Sequence, residues 1–214
     1  MNKKKVICIG EALIDRIRNK SNKEFSDFLG GAPANVACAL KKLKIDSIFI
    51  GRLGSDDFGK KFIAQFNELK VNLDFLQLDN DSFTRVVNVD RDQFGDRIFS
   101  GFESRSHSCF ADEALNKKLL KKKLPKLEKL FLETKYLVTG TIILASPIST
   151  DTICFLLEQA NKFQVKIIID LNWRDVFWDY SSFSSEITKT ARVNLIKKFL
   201  NHAHVIKLAK EEAT

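Results

Sequence analysis

Three short segments of the chain carry polar side chains at positions where they could hold a ligand. Gly10–Asp15 (GEALID) follows an apolar run and ends in an aspartate, and Asp170–Arg174 (DLNWR) follows another apolar run. Gly30–Asn35 (GGAPAN) places two glycines before a proline and an asparagine. A carboxylate can accept hydrogen bonds from two hydroxyl groups, and a carboxamide both donates and accepts, as a sugar hydroxyl requires. The segments therefore indicate a site for a polyhydroxylated ligand.

The double-glycine segment predicts a tight turn into a helix. Gly30 and Gly31 allow backbone angles that are closed to other residues, and they let a ligand approach the backbone closely. Pro33 suits the first helical turn, where its missing N–H costs nothing. That turn would offer free amides and the positive end of the helix dipole, with Asn35 beside them. The same residues also fit an ordinary loop-to-helix turn without a ligand, and local chemistry leaves both interpretations open.

Apolar runs predict the elements that must position these segments. The five expected strands are Val6–Ile9, Ile48–Gly51, Tyr136–Thr139, Lys166–Asp170 and Val205–Leu208. Continuous apolar runs, with helical patterns between several of them, are typical of a parallel sheet that is covered on both faces. We therefore expect an α/β fold over residues 1–214, with a doubly wound, mostly parallel sheet. The polar segments then lie at the carboxyl ends of strands or at a helix start, where such sheets bind ligands.

Two stretches, at about 15–29 and 84–105, break this alternation of strands and helices. The first is too polar for a core element, and the second has strand-like ends around the polar residues 90–96 (DRDQFGD), which predicts a hairpin. We expect the two stretches to form a small β lid at the edge of the sheet. Such a lid can close over a ligand and exclude water.

The composition argues against a membrane or a nucleic acid as a partner. The chain has 214 residues and a net charge of +8, but its lysines are spread along it, and the densest run, Lys117–Lys126, fits a solvated helix face. No apolar run is long enough to span a membrane. The four cysteines lack metal-ligand spacing, and three lie in apolar contexts typical of reduced core residues, which favours a cytoplasmic protein.

Five motifs together give the sequence a resemblance to a known family. These motifs are GEALID, GGAPANVACALKKL, FIGRLGSDDFG, DLNWRDVFW and VIKLAKEEA, and they run from Val6 to the last residue. In this order and spacing they resemble the ribokinase-like sugar kinases of the phosphofructokinase-B type, and among these the fructokinases. The resemblance implies transfer of the γ-phosphoryl group of ATP, with Mg²⁺, to a primary hydroxyl of a sugar, with fructose favoured. It also implies that a homodimer could form through the β lid.

The resemblance assigns the sugar-binding roles to four residues. Asp15, Gly31 and Asn35 would hold sugar hydroxyls, and Gly30 with Gly31 would form the turn beneath the sugar.

The same resemblance assigns the phosphoryl-transfer region to the second half of the chain. Asp170, Asn172 and Arg174 match the segment of the family that lies near this region. Glu212 matches the glutamate of the family's NxxE motif, which is linked to magnesium and phosphate. The asparagine of that motif is replaced by Ala209 here, so a role of Glu212 at the metal would be indirect.

No catalytic residue is assigned, because the family's general-base aspartate belongs to a GxGD motif that these 214 residues do not contain. We expect that aspartate beyond Thr214, together with the remaining, C-terminal part of the sheet. Phosphoryl transfer depends on positioning and on stabilisation of charge, so the chain alone is expected to be inactive. The alternative is a non-catalytic ribokinase-like protein that binds a sugar or serves as a scaffold.

Overall fold

The structure, a computed structural model, describes residues 4–18, 24–91, 97–103, 110–179 and 188–213. Its central sheet has five strands, which in spatial order are β11 (Val205–Lys207), β10 (Lys166–Asp170), β9 (Thr134–Gly140), β1 (Lys5–Ile9) and β4 (Ser47–Ile50). Every neighbouring pair is parallel. The predicted α/β fold with a mostly parallel sheet is confirmed, and each of the five predicted strands is present.

Helices cover both faces of this sheet. They are α1 (Ala32–Lys42), α2 (Asp57–Glu68), α3 (Lys117–Lys121), α4 (Leu124–Glu133), α5 (Pro147–Lys162), α6 (Asp175–Asp179) and α7 (Lys189–Leu200). Successive side chains of a strand point to opposite faces. In β1, Ile7 and Ile9 accordingly join the core under α4, α5 and α7, whereas Val6 and Cys8 join a second core under α1 and α2.

A second sheet of four strands lies beside the first. Its strands, in spatial order, are β3 (Phe25–Gly30), β2 (Leu13–Arg18), β7 (Val86–Arg91) and β8 (Arg97–Phe102). The pair β7–β8 is antiparallel, and β2 pairs in parallel with β7. Both stretches expected in the lid therefore contain strands, while the turn expected at residues 92–96 lies outside the described residues.

One face of this second sheet is apolar and packs against the body of the protein. Leu13 and Ile17 of β2 lie in one cluster with Val176 and Phe177 of α6. Asp15 lies between Leu13 and Ile17 in β2, so its side chain is on this same face. The packing therefore turns Asp15 toward the body of the protein, whereas Arg16 lies on the opposite face.

Smaller elements complete the described part of the chain. Strands β5 (Arg52–Gly54) and β6 (Gln77–Asp79) form a parallel pair, and short 3-10 turns occupy Ala111–Ala114, Ile142–Ala145 and Lys210–Glu212. Along the described ranges, no helix has the length and apolar character needed to cross a membrane.

The burial expected for cysteines in apolar contexts is observed for two of them and not for a third. Cys8 and Cys38 are buried, as predicted, but the apolar context of Cys154 misled the sequence interpretation, because this thiol lies on the exposed side of α5.

The strand β11 forms an edge of the central sheet, and its Val205 and Ile206 are 54% and 46% exposed.

Candidate active site at the carboxyl edge of the central sheet

The structure brings Asp15 and the double glycine together. Strands β2 and β3 are antiparallel neighbours, with Asp15 opposite Phe28, so that the end of β3 folds back across the start of β2. A Cβ atom placed on Gly30 would lie 2.8 Å from the Asp15 carboxylate. A side chain at position 30 would therefore require the Asp15 carboxylate to shift, which gives a reason for the first glycine of the motif.

Gly31 has a different reason to be glycine. Its φ of 95° is rarely open to residues with a side chain, and an added Cβ atom would lie 2.5 Å from the carbonyl oxygen of Glu11. Gly31 precedes α1, and Pro33 occupies the first turn, as predicted. The turn therefore passes directly over the backbone of the loop between β1 and β2.

Asn35 lies in the first turn of α1 and is exposed. Its backbone N–H donates to the carbonyl oxygen of Gly31 at 2.9 Å, which starts the helical hydrogen bonding. The structure thus places Asn35 one turn after the double glycine, on the same segment and within the same helix start. The four residues assigned to the sugar, Asp15, Gly30, Gly31 and Asn35, belong to one compact group of two adjacent segments.

The segment Asp170–Arg174 leaves the carboxyl end of β10. Asp170 forms an ion pair with Lys207 of the neighbouring strand, at 2.8 Å. Asn172 has a φ of 41°, a left-handed conformation that asparagine tolerates better than most residues, and it redirects the chain toward α6. The Arg174 guanidinium lies 5.4 Å from the ring of Phe99 in β8, so it faces the second sheet.

Glu212 joins this segment from a distant part of the chain. One carboxylate oxygen accepts the backbone N–H of Trp173, and the other accepts that of Ala209 at 2.8 Å. The Arg174 guanidinium lies 3.7 Å from the first oxygen. Glu212 therefore holds the Asp170–Arg174 segment in place, and both of its oxygens already have partners. This position supports at most an indirect role at a metal ion.

A cavity lies between the start of α1 and the beginning of the Asp170 segment. It has a volume of about 250 Å³ and lies between the start of α1 and the carboxyl ends of three central strands. Ala32 and Pro33 line one side, and Asp170 and Lys207 line the other. The start of α1, which directly follows the double glycine, and Asp170 therefore border one common space at the carboxyl edge of the sheet.

A buried charged cluster behind the turn was missed by the sequence analysis. Arg85 forms ion pairs with Asp112 at 2.9 Å and Glu113 at 3.0 Å, and its exposed fraction is 3%. The rings of Phe102, Phe110 and Phe177 surround its guanidinium at 4.3–5.2 Å. Burial alone would lower the pKa of Arg85, but the two carboxylates raise it above its usual range, so the guanidinium stays charged.

Glu11 belongs to the same buried region. It lines a cavity of about 10 Å³ together with Arg85, Asp112 and Glu113, which is room for about one water molecule. Burial raises the pKa of Glu11 to about 7. In the sequence, Glu11 was marked only by its place shortly after β1. The helix start that it contacts lies 21 residues farther along the chain.

The raised pKa of Glu11 makes stability depend on pH. Between its unfolded pKa near 4.5 and its folded pKa of about 7, the folded protein binds a proton that the unfolded chain does not. Stability from this group therefore falls as pH rises through that window, by about 3 kcal/mol in total. We expect Glu11→Gln to remove this share of the pH dependence in urea unfolding at pH 5 to 8. Parallel curves for the variant and the wild type would contradict the assignment, with exposed Glu68→Gln as the control.

The described residues do not provide a metal site of their own. No cluster of three or more His, Cys, Asp or Glu side chains that could hold a metal is present among them. Asp170 lines the cavity and is engaged by Lys207, and Glu212, which holds the segment after Asp170, is engaged by backbone amides. A magnesium ion in this site would thus need ligands from elsewhere, such as phosphate oxygens and water.

Comparisons with known proteins agree with this geometry. The model of the pfkB family of carbohydrate kinases matches residues 3–214. The chain is 32% identical to probable fructokinase-5 of Arabidopsis thaliana, covering 98% of the chain and 61% of that protein, and 27% identical to fructokinase of Salmonella typhimurium, covering 97% and 61%. The chain thus spans about three fifths of the length of these relatives.

Solved structures show the same fold. Fructokinase of Xylella fastidiosa with bound ATP is 27% identical and superposes with a TM-score of 0.78, covering 98% of this chain and 59% of that one. A fructokinase of Vibrio cholerae O395, bound to fructose, ADP and a calcium ion, is 25% identical with a TM-score of 0.75, covering 98% and 61%.

Proposed function

Because the chain belongs to the pfkB family of carbohydrate kinases, we propose that it serves an ATP-dependent kinase that phosphorylates a primary hydroxyl group of fructose. One observation carries the proposal: the Asp15 carboxylate lies against the double-glycine turn, and the helix α1 that follows this turn borders a cavity that Asp170 lines from the other side. Fructose is favoured over other sugars because both curated relatives described above are named fructokinases.

The residues of this chain would bind and orient the sugar. In the proposal, Asp15 accepts hydrogen bonds from two sugar hydroxyls, and Asn35 donates to one hydroxyl and accepts from another. Gly30 and Gly31 let the sugar rest against the backbone of the turn. Asp170 pairs with Lys207, and in the proposal it serves to position the loop that it begins.

Other features would favour the negative charge of the phosphoryl group. The positive end of α1 opens toward the shared cavity, because Ala32 and Pro33 line it. Arg174 adds a guanidinium that is 37% exposed and therefore accessible to an anion. ATP would enter as the second substrate, with Mg²⁺ bound through its phosphates, and Asn172 and Glu212 would hold the Arg174 loop.

A non-catalytic sugar-binding or scaffold protein is the second candidate. It rests on the same geometry, because a site that holds a sugar does not by itself require phosphoryl transfer. The presence of Asp15, Gly31 and Asn35 together argues against a scaffold that has lost the function of an enzyme by mutation, because such a scaffold would not need all three residues. Both candidates share sugar binding, and they differ only in phosphoryl transfer.

The proposal extends to assembly and location. Phe25 and Phe28 lie on β3, the edge strand of the second sheet, and each is 53% exposed. Exposed aromatic residues on an edge strand favour association, which supports a homodimer through this lid. Cys8, Cys38 and Cys154 are free thiols, and free thiols suit the cytoplasm.

Binding and turnover by the 214-residue chain test the proposal. We expect isothermal titration calorimetry to detect fructose binding, and we expect no phosphorylation of fructose with ATP and Mg²⁺, because the chain lacks the general base. Clear turnover would mean that a residue described here acts as the base. Absence of binding of fructose and of other hexoses would contradict the sugar site itself.

Asn35→Leu separates ligand binding from folding at the helix start. The change should leave the melting temperature within a few degrees, because an exposed first-turn position tolerates leucine, and it should weaken fructose binding by about tenfold through the loss of one or two hydrogen bonds. A thermal melt and a fructose titration measure the two effects. A lower melting temperature with unchanged affinity would support a purely structural turn.

A further inference from the structure

The start of α1 lacks a cap from its own segment. Helix N-termini leave several backbone N–H groups without helical partners, and a side chain at the N-cap position usually satisfies one of them. Here that position is Gly31, which has no side chain to do so. The glycine that the turn requires thus deprives the helix of its local cap.

Glu11 supplies the missing cap from another part of the chain. Its Oε1 atom accepts the backbone N–H of Ala32, the first residue of α1, at 3.0 Å. Glu11 is 2% exposed, so water does not compete for this hydrogen bond. Its carbonyl oxygen also lies beneath Gly31. Side chain and backbone of Glu11 therefore contact two successive residues of the turn.

We propose that Glu11 is a positioning residue of the sugar site, which holds the Gly30–Gly31 turn and the start of α1 in the conformation that binds the sugar. The inference rests on the proposed function, because it assigns the turn to a sugar. Glu11 itself acts through Ala32 rather than on the ligand.

Within the buried charged cluster, Glu11 acts as a hydrogen-bond acceptor for α1 rather than as an ion-pair partner of Arg85. Arg85 directs its Nε and Nη2 atoms to Asp112 and Glu113, whereas the hydrogen bond of Glu11 goes to the helix start. Among the described residues, the second oxygen of Glu11 and the Nη1 atom of Arg85 have no hydrogen-bond partner although both are buried, and both residues line the same small cavity. Water there would fix the Glu11 carboxyl from behind.

Substitutions on both sides of the hydrogen bond test the inference. Glu11→Met removes the acceptor, and Ala32→Pro removes the donor at a helix position where proline is compatible. Each should weaken fructose binding about tenfold in calorimetry, because the turn then spends less time in the conformation that binds the sugar. Glu11→Gln keeps an acceptor oxygen and should bind fructose within about threefold of wild type. Amide exchange at Ala32, measured by NMR, should quicken by about tenfold in Glu11→Met and stay slow in Glu11→Gln.

Asp79→Asn is the matched control. Asp79 is also a buried carboxylate that accepts a backbone N–H, from Asp81, and pairs with an arginine, Arg52. It lies on β6, which does not belong to the candidate site. This control should leave fructose affinity within about twofold, which shows that loss of a buried carboxylate alone does not weaken the sugar site.

These experiments test the role of Glu11 independently of the proposed function. Unchanged fructose affinity in Ala32→Pro, or slow Ala32 exchange in folded Glu11→Met, would overturn it, and equal losses in Glu11→Gln and Glu11→Met would reduce Glu11 to a packing role. If Glu11→Met does not fold, Ala32→Pro decides. A wild-type chain that binds no sugar would overturn the proposed function, while Ala32 exchange would still decide whether Glu11 holds the turn.

Discussion

Arg85→Met will lower the free energy of unfolding by about 3–5 kcal/mol, because it leaves two buried carboxylates without their cation. Asp112 and Glu113 both lie within 3.0 Å of the Arg85 guanidinium, and their side chains are 6% and 3% exposed. Methionine fills a similar volume but carries no charge. The loss should be smaller at pH 5 than at pH 8, because burial already raises the pKa of Asp112 and the variant removes the cation that opposes this shift, so this carboxyl takes up a proton in the folded state.

Urea unfolding at the two pH values measures this effect, with Arg16→Met as the control. Arg16 also pairs with two carboxylates, Asp27 and Glu103, but all three side chains are at least 20% exposed. Exposed ion pairs contribute about 0–1 kcal/mol, so the control should change stability little. Equal losses for the two variants would mean that the buried position of Arg85 adds nothing.

Asp15→Ala will weaken fructose binding by at least about 100-fold, which corresponds to the loss of two charge-assisted hydrogen bonds of about 1.5 kcal/mol or more each. The side chain lies on the face of β2 that is turned toward α6, beside the Gly30 turn. Alanine fits a strand surface, so the fold should persist. Calorimetric titration with fructose measures the affinity, and circular dichroism verifies the fold.

Asp27→Ala is the matched control for Asp15. Asp27 is also a lid carboxylate, but it pairs across the sheet with Arg16, on the face opposite to Asp15. Its loss should leave fructose affinity within about twofold. Weakening of similar size in both variants would show that the lid as a whole, and not the Asp15 carboxylate, determines binding.

The sequence predicted the framework because each strand carries its own local signal. Lys166–Asp170 has the bounds that the continuous apolar run indicated, and burial on both faces leaves such a run little choice of structure. The glycines and Pro33 were equally readable, since their backbone geometry restricts them to a few local conformations.

Contacts between distant segments were not predictable in this way. The hydrogen bond of Glu11 to Ala32 crosses 21 residues, and the ion pair of Arg85 with Asp112 crosses 27. A single buried glutamate or arginine has no periodic pattern, so nothing local distinguishes it from a surface charge. The exposed position of Cys154 was missed for a related reason. Its apolar neighbours in the sequence lie on the buried face of α5, whereas Cys154 itself lies on the exposed face.

The order of the central strands has a consequence for the growth of the fold during synthesis. Strands β9, β10 and β11 lie successively farther from β1 on one side, in the order in which the ribosome makes them. Strand β9 pairs with β1, and β10 and β11 then each pair with the strand completed just before them, so none of the three has to be inserted between partners already paired. Until the next strand arrives, the outermost backbone offers unpaired N–H and C=O groups. The exposed Val205 and Ile206 mark this edge of the sheet once β11 has formed.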